Sequence, residues 1–180
     1  MSTNTVSQAA PLGNASLSRN GRAALNYAAH YGWRVFPLPP RSKIPDLKGW
    51  PEKATADPEQ LRKWWLQTPD ANIGLACGAG SGIVVVDLDV KSGGLEAWAE
   101  LLDIHGAVDT LEARTGTGGG HLYFKAPTAA LKNTAGAIKP GIDTRAAGGY
   151  VVAPPSVHPN GERYEWVRYV PPADLPTWLL

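Results

Sequence analysis

The hydrophobic positions divide the chain into short elements. Residues 83–86, "IVVV", form its most apolar run and lead straight into Asp87, Leu88 and Asp89. β-Branched side chains are stiff and fit a pleated sheet, so 82–89 is predicted to be a buried strand. Helical spacing appears in "DPEQLRKWWLQTP", where Leu61, Trp64, Trp65 and Leu66 share a face. Asp57 suits its N-cap, Pro58 its first turn, and Gln60 completes a capping box. A second helix, "GGLEAWAELLDIHG", turns Leu95, Trp98, Leu101 and Leu102 inward. His105 ends it, where a cation is welcome, and is read as a cap rather than a ligand. An Ala-rich helix is expected from Arg22 to Tyr31, stopped by Gly32.

The remaining patterned segments are β-prone and punctuated by Gly and Pro. They are "WRVFPL" (33–38), "NIGLACG" (72–78), "LEART", "HLYFK", "GIDTR", "GYVVA" and "RYEWV". Residues 1–20 are small and polar without periodicity and read as a flexible tail. The pattern predicts an α+β fold: a small helix-containing N-terminal part, then a mostly antiparallel sheet with a helix on it.

Composition narrows the class. With 180 residues, 43% of them hydrophobic and 7 Trp, the chain can bury a core. No apolar run approaches the roughly 18–20 residues of a membrane span. No basic-then-apolar signal opens the chain, so nothing marks it for secretion. Cys77 is the single cysteine. It allows no internal disulfide and no multi-cysteine zinc site, and a cytoplasmic protein is expected.

The net charge of +1 hides an uneven distribution. Residues 1–70 carry nine Lys/Arg and five Asp/Glu, whereas residues 71–130 carry three and seven. An acidic centre beside a basic N-terminal part suits metal ions next to phosphates, and ordinary scatter of surface charge accounts for it equally well.

Three segments carry candidate chemistry. Asp87 and Asp89, two apart on a strand, point to one face and make an oxygen-only site of the kind magnesium or manganese prefers. The alternative is a pair of exposed turn aspartates. In "RTGTGGGHLYF" (114–124), Gly119 and Gly120 belong to a glycine run whose backbone N–H groups can approach an anion. Thr115 and Thr117 add hydroxyl donors there, and His121 opens the following strand. A glycine-rich hairpin with an incidental histidine reads the same residues structurally. In "GIDTRAAGGYVVAPPSVHPNGERYEW" (141–166), Asp143 is a third carboxylate, with Arg145 on the same face. Arg145 suits phosphate oxygens, or it is simply the partner of Asp143. Ser156 and His158 follow a Pro-Pro turn and are either phosphate donors or plain loop residues.

Together the three segments resemble the prim-pol branch of the archaeo-eukaryotic primase superfamily. This is the bifunctional DNA primase/polymerase N-terminal domain of plasmid and phage replication proteins. "IVVVDLD" resembles its apolar strand ending in Asp-x-Asp, "GGH" (119–121) its small-x-His motif, and "ID" (142–143) its apolar-Asp motif. "YAAHYGWRVFPLPPRSKIP", "KATADPEQLRKWW", "NIGLACG" and "GGYVVAPPSVHPNGERYEW" extend the likeness over roughly residues 22–170.

The resemblance implies a domain over 21–180. An N-terminal α/β module (21–80) would pack on an RNA-recognition-like sheet module (81–170), with the active site in the cleft between them. It implies Asp87, Asp89 and Asp143 as carboxylates of a two-metal Mg2+ or Mn2+ site, His121 as a nucleotide-phosphate contact and Lys43 as a residue near the nucleotide. It implies a single-stranded DNA template, nucleoside triphosphates and a helicase partner outside this chain. The single cysteine departs from relatives that carry zinc. The Asp-x-Asp alone leaves open a manganese-dependent glycosyltransferase, and a non-catalytic nucleic-acid-binding module is a further alternative.

Overall fold

The computed structural model describes residues 16–129 and 131–179. Along the chain the elements are α1 (Arg19–Tyr31), β1 (Val35–Leu38), α2 (Trp50–Lys53), α3 (Pro58–Gln67), β2 (Asn72–Ala76), β3 (Ile83–Leu88) and α4 (Gly94–His105). They continue with β4 (Leu111–Arg114), β5 (Gly120–Lys125), β6 (Ile142–Arg145), β7 (Tyr150–Ala153), β8 (Glu165–Arg168) and β9 (Ala173–Asp174). The fold is α+β, as the element pattern predicts. No helix among the described residues is long and apolar enough to cross a membrane.

β3 is apolar at every position before Asp87 because both of its faces are covered. It lies inside a six-stranded sheet in the order β6-β3-β5-β4-β8, with β9 beside the far end of β5. All pairings are antiparallel except β5–β9. Alternate residues of a strand face opposite sides. Ile83 and Val85, with Tyr123, Leu111 and Ala113, join the core formed by α1, α3 and a second sheet. Val84, Val86 and Leu88, with Leu122, Phe124 and Ile142, pack on Trp98 and Leu101 of α4. The second sheet is three-stranded, β1-β2-β7. Its third strand comes from residues 150–153, so the C-terminal half of the chain returns to complete the N-terminal sheet.

Several details differ from the sequence reading. Residues 1–15 of the expected tail lie outside the described residues, but Leu17, Ser18 and Asn20 are anchored. Leu17 is buried, the Ser18 hydroxyl caps α1 by accepting the Gly21 N–H, and the Asn20 amide donates to the Ala71 carbonyl at 2.8 Å. The helix therefore starts three residues before Arg22. Asp57 does cap α3, accepting the Glu59 N–H, but Gln60 does not complete a box, because the Asp57 N–H donates to the Thr55 hydroxyl. In α4 the inward line is Gly94, Trp98 and Leu101. Gly94 is in close contact with the Gly141 carbonyl, which leaves Leu95 on the flank, 40% exposed. His105 stacks flat on Trp178, with ring centroids 4.6 Å apart.

Gly74, in the middle strand of the small sheet, sits directly opposite Phe36. A Cβ there would lie 2.4 Å from the Phe36 ring, which is fully buried and stacked on Trp50. The ring has no room to retreat, so Gly74→Ala is expected to lower stability by about 1–3 kcal/mol in urea denaturation. An unchanged midpoint would show that this contact is loose.

Candidate active site

Pairing register assembles the candidate residues. Asp87 lies opposite His121 on β5 and opposite Asp143 on β6. The three side chains therefore stand side by side on one sheet face, at the point where the apolar positions of β3 end. Two like charges directly across a ladder repel each other. Here the Arg145 guanidinium offsets the repulsion, 3.3 Å from Asp87 Oδ2 and 3.0 Å from Asp143 Oδ2. Arg145 is two residues on from Asp143 along β6, which puts both on the same face. On the other side of Asp87, His121 Nε2 is 3.5 Å from Oδ1. Burial alone would raise the Asp87 pKa, but His121 and then Arg145 outweigh it and hold the carboxyl below its usual value.

These residues open into a cleft of about 710 Å³. Asp87, Asp89, Asp143, His121, Lys43, Arg145, Thr115, Thr117 and His158 all line it. Asp89 lies just past the strand. Its carboxylate accepts the Lys91 N–H at 2.9 Å and the Ser92 hydroxyl at 3.2 Å, capping the turn at 90–92. Thr115 and Thr117 share a hydrogen bond at 3.1 Å. Lys43, Lys91 and Arg145 line the same cleft as the three aspartates, so both signs of charge meet there.

Three of the sequence-derived candidates lie elsewhere. Ser156 is fully buried and its hydroxyl accepts the Ile73 N–H at 2.8 Å, tying two segments together away from the cleft. Gly119 and Gly120 do not line the cleft either. They belong to the β4–β5 hairpin, and a Cβ on Gly119 would lie 2.2 Å from the Leu88 carbonyl oxygen. The absence of a side chain there lets the hairpin close against the end of β3. Sequence reasoning missed Lys91, Asn133, Tyr150 and Tyr164, which also line the cleft. Lys91 is brought to the cleft by the turn at 90–92 that Asp89 caps, which strand alternation does not reveal. Tyr164 was read only as part of a strand. It is 3% exposed, and burial, then Asp87, push its phenol pKa well up.

The donors suit a hard divalent cation in kind, since all three carboxylates offer oxygen. They are not yet gathered around one point. Among the described residues no three His, Cys, Asp or Glu side chains are close enough to share an ion. Arg145 takes one oxygen from each of Asp87 and Asp143, and Asp89 is engaged in its turn. The sole cysteine, Cys77, is buried, and burial pushes its thiol up to about 12, so it supplies no thiolate.

Arg145→Gln tests the electrostatic account in metal-free buffer. A carboxyl with a depressed folded pKa contributes stability above its unfolded value, about 3.9, and loses it as pH falls through the folded value. The variant is therefore expected to be less stable than the parent near pH 7, by about 1–3 kcal/mol. The gap should close as pH falls below 4. A gap of constant size from pH 7 to pH 3 would mean that Arg145 acts by packing rather than by charge.

A family model described as "Bifunctional DNA primase/polymerase, N-terminal" matches residues 24–178. Comparison with curated proteins returned no match. The matched span runs from within α1 to the C-terminal turn at 177–179 and takes in both sheets, the three aspartates and the whole lining of the cleft. A match over that much of the folded chain makes it a member of the Prim-Pol family of bifunctional DNA primase/polymerase N-terminal domains.

Proposed function

We propose that the chain is the catalytic domain of a template-directed nucleotidyltransferase. It would make primers on single-stranded DNA and extend them during plasmid or phage replication, with nucleoside triphosphates as substrates. The observation that carries this reading is the register of Asp87 with His121 and Asp143, which brings two carboxylates and an imidazole together in a cleft also lined by Lys43, Lys91 and Arg145. Carboxylates for cations beside cations for phosphates are the two halves of a phosphoryl-transfer site. Family membership favours this reading over a glycosyltransferase, and the intact carboxylates favour it over a silent binding module.

Asp87 and Asp143, with Asp89 at the rim, would hold Mg2+ or Mn2+. When bound, such ions supply charge stabilisation at the attacking and leaving oxygens of an in-line displacement. The protein's own residues do the positioning. Arg145 keeps Asp87 and Asp143 together in the absence of other cations. Once that role is relieved, its planar fork is free to turn to a phosphate oxygen. His121 is held nearly flush with the sheet, with Nε2 at Asp87, so Nε2 is the ring atom that meets a ligand carried there. Lys43 and Lys91 approach from the rim, where flexible ammonium groups suit a polyphosphate. Thr115, Thr117 and His158 border the same space. The 3′-hydroxyl attacks the α-phosphorus, the bond to pyrophosphate breaks, and the hydroxyl proton leaves to solvent or a cleft base.

Incorporation of labelled nucleotides on a primed single-stranded template is the direct test. The parent should add nucleotides in the order the template dictates. Asp87→Ala and Asp143→Ala should each reduce the rate by about 10²–10³-fold. His121→Ala should lower the efficiency of nucleotide use by about 10–100-fold, the loss of one hydrogen bond to a charged group. Full activity in either aspartate variant, or addition that ignores the template, would contradict the proposal.

A further inference from the structure

A second groove, of about 930 Å³, lies between α1 and the segment around β8. None of the three motifs contributes to it. One wall is a polar stripe of α1. Arg19, Arg22, Asn26 and His30 recur at helical spacing and are all exposed. Among the described residues no carboxylate lies within ion-pair distance of Arg19 or Arg22. The one acidic lining residue, Glu165, is neutralised by Arg114 at 2.7 Å. The groove therefore carries net positive charge, although the whole chain is nearly neutral.

The other feature is aromatic. Tyr31 from the end of α1, Trp166 from β8 and Tyr169 just beyond it line the space with Tyr27. Tyr169 is 71% exposed, so its ring is open to a ligand. Its ring meets Trp166 edge-on at 6.1 Å. Tyr31 stacks on the buried Trp33 at 4.2 Å, which fixes its plane. Burial, and then the Tyr169 phenol, raise the Tyr31 pKa, which agrees with the two rings standing near one another in this groove. Cations along α1, with rings at its end and on the β8 segment facing it, are what an unpaired polynucleotide requires: phosphates for the arginines, base faces for the rings.

Tyr164 lines both this groove and the catalytic cleft. Tyr164 is itself buried, so the groove and the cleft lie on either side of one shared wall residue.

We propose that this groove binds single-stranded nucleic acid and leads the template strand to the cleft. The role as template path rests on the synthesis reading above; the binding itself does not. Fluorescence anisotropy with a labelled single-stranded oligonucleotide, without nucleotide or metal, measures binding alone. The parent should bind the single strand more tightly than a duplex of the same sequence, since paired bases offer no free faces to the rings. Arg19→Gln/Arg22→Gln should weaken binding about tenfold and reduce the slope of log K against log salt by roughly 1.4, two phosphate contacts on a single strand. Tyr169→Ala, a change at an exposed ring, should weaken it at least about fivefold. Asp87→Asn should leave it unchanged. Thermal melts confirm that each variant is folded.

Groove variants that bind like the parent would overturn the inference, as would a strand affinity lost only in Asp87→Asn. Equal affinity for duplex, or equally effective competition by polyglutamate, would assign the groove to another occupant and overturn it too. A protein that binds strands through the groove yet incorporates no nucleotide supports this inference and refutes the synthesis reading, so the two fail separately.

Discussion

The placement of Asp87 constrains much of the rest of the site. It is a carboxylate at the end of the most apolar strand, with a second carboxylate directly opposite on β6 and a histidine directly opposite on β5. Burying such a group without partners is strongly unfavourable. Arg145 and His121 compensate, and both can do so only because strand register puts them on the same face. That register is in turn held by the alternation of β3. A slip of one residue would turn Val86 to the cleft and Asp87 into the core beneath α4. The packing of Val84, Val86 and Leu88 on α4 thus fixes where the charges stand.

This arrangement explains how one strand, β3, can be apolar over most of its length and charged at one end. Ile83, Val85 and Tyr123 close the face against the N-terminal core, and the same face opens into the cleft one position later. The cleft needs both sheets. Tyr150, Val151 and Val152 come from β7, which belongs to the small sheet, whereas the aspartates come from the large one. Because β7 follows β6 in the chain by only a few residues, the Asp143–Arg145 strand and the opposite wall are covalently close.

Much of this was legible in the sequence. The strands at 83–88, 120–125 and 142–145 follow from β-branched and aromatic runs bounded by Gly, and the three motifs that carry the chemistry sit on them. What the sequence could not show was pairing. Nothing local says that Asp87 meets both His121 and Asp143, or that β7 leaves the large sheet for the small one. The glycines carry a constraint hidden for a related reason. Gly119 reads as an anion cradle in isolation, but its close neighbour is the carbonyl of Leu88, thirty-one residues earlier in the chain. The same holds for Ser156, since its partner is the backbone of Ile73. In each case a long-range contact constrains a residue whose local context does not show it.

The central claim is that these carboxylates form a cation site tied to nucleotide binding. Thermal melting of metal-free protein, titrated with Mg2+ or Mn2+ and then with a non-hydrolysable nucleoside triphosphate, tests it most directly. The account predicts that the cation raises the melting midpoint and that nucleotide raises it further. Each saturating ligand at one hundred times its dissociation constant should add about 2.7 kcal/mol, and both gains should be absent in Asp87→Asn. A parent midpoint indifferent to cation and nucleotide, or one that responds equally in Asp87→Asn, would contradict it.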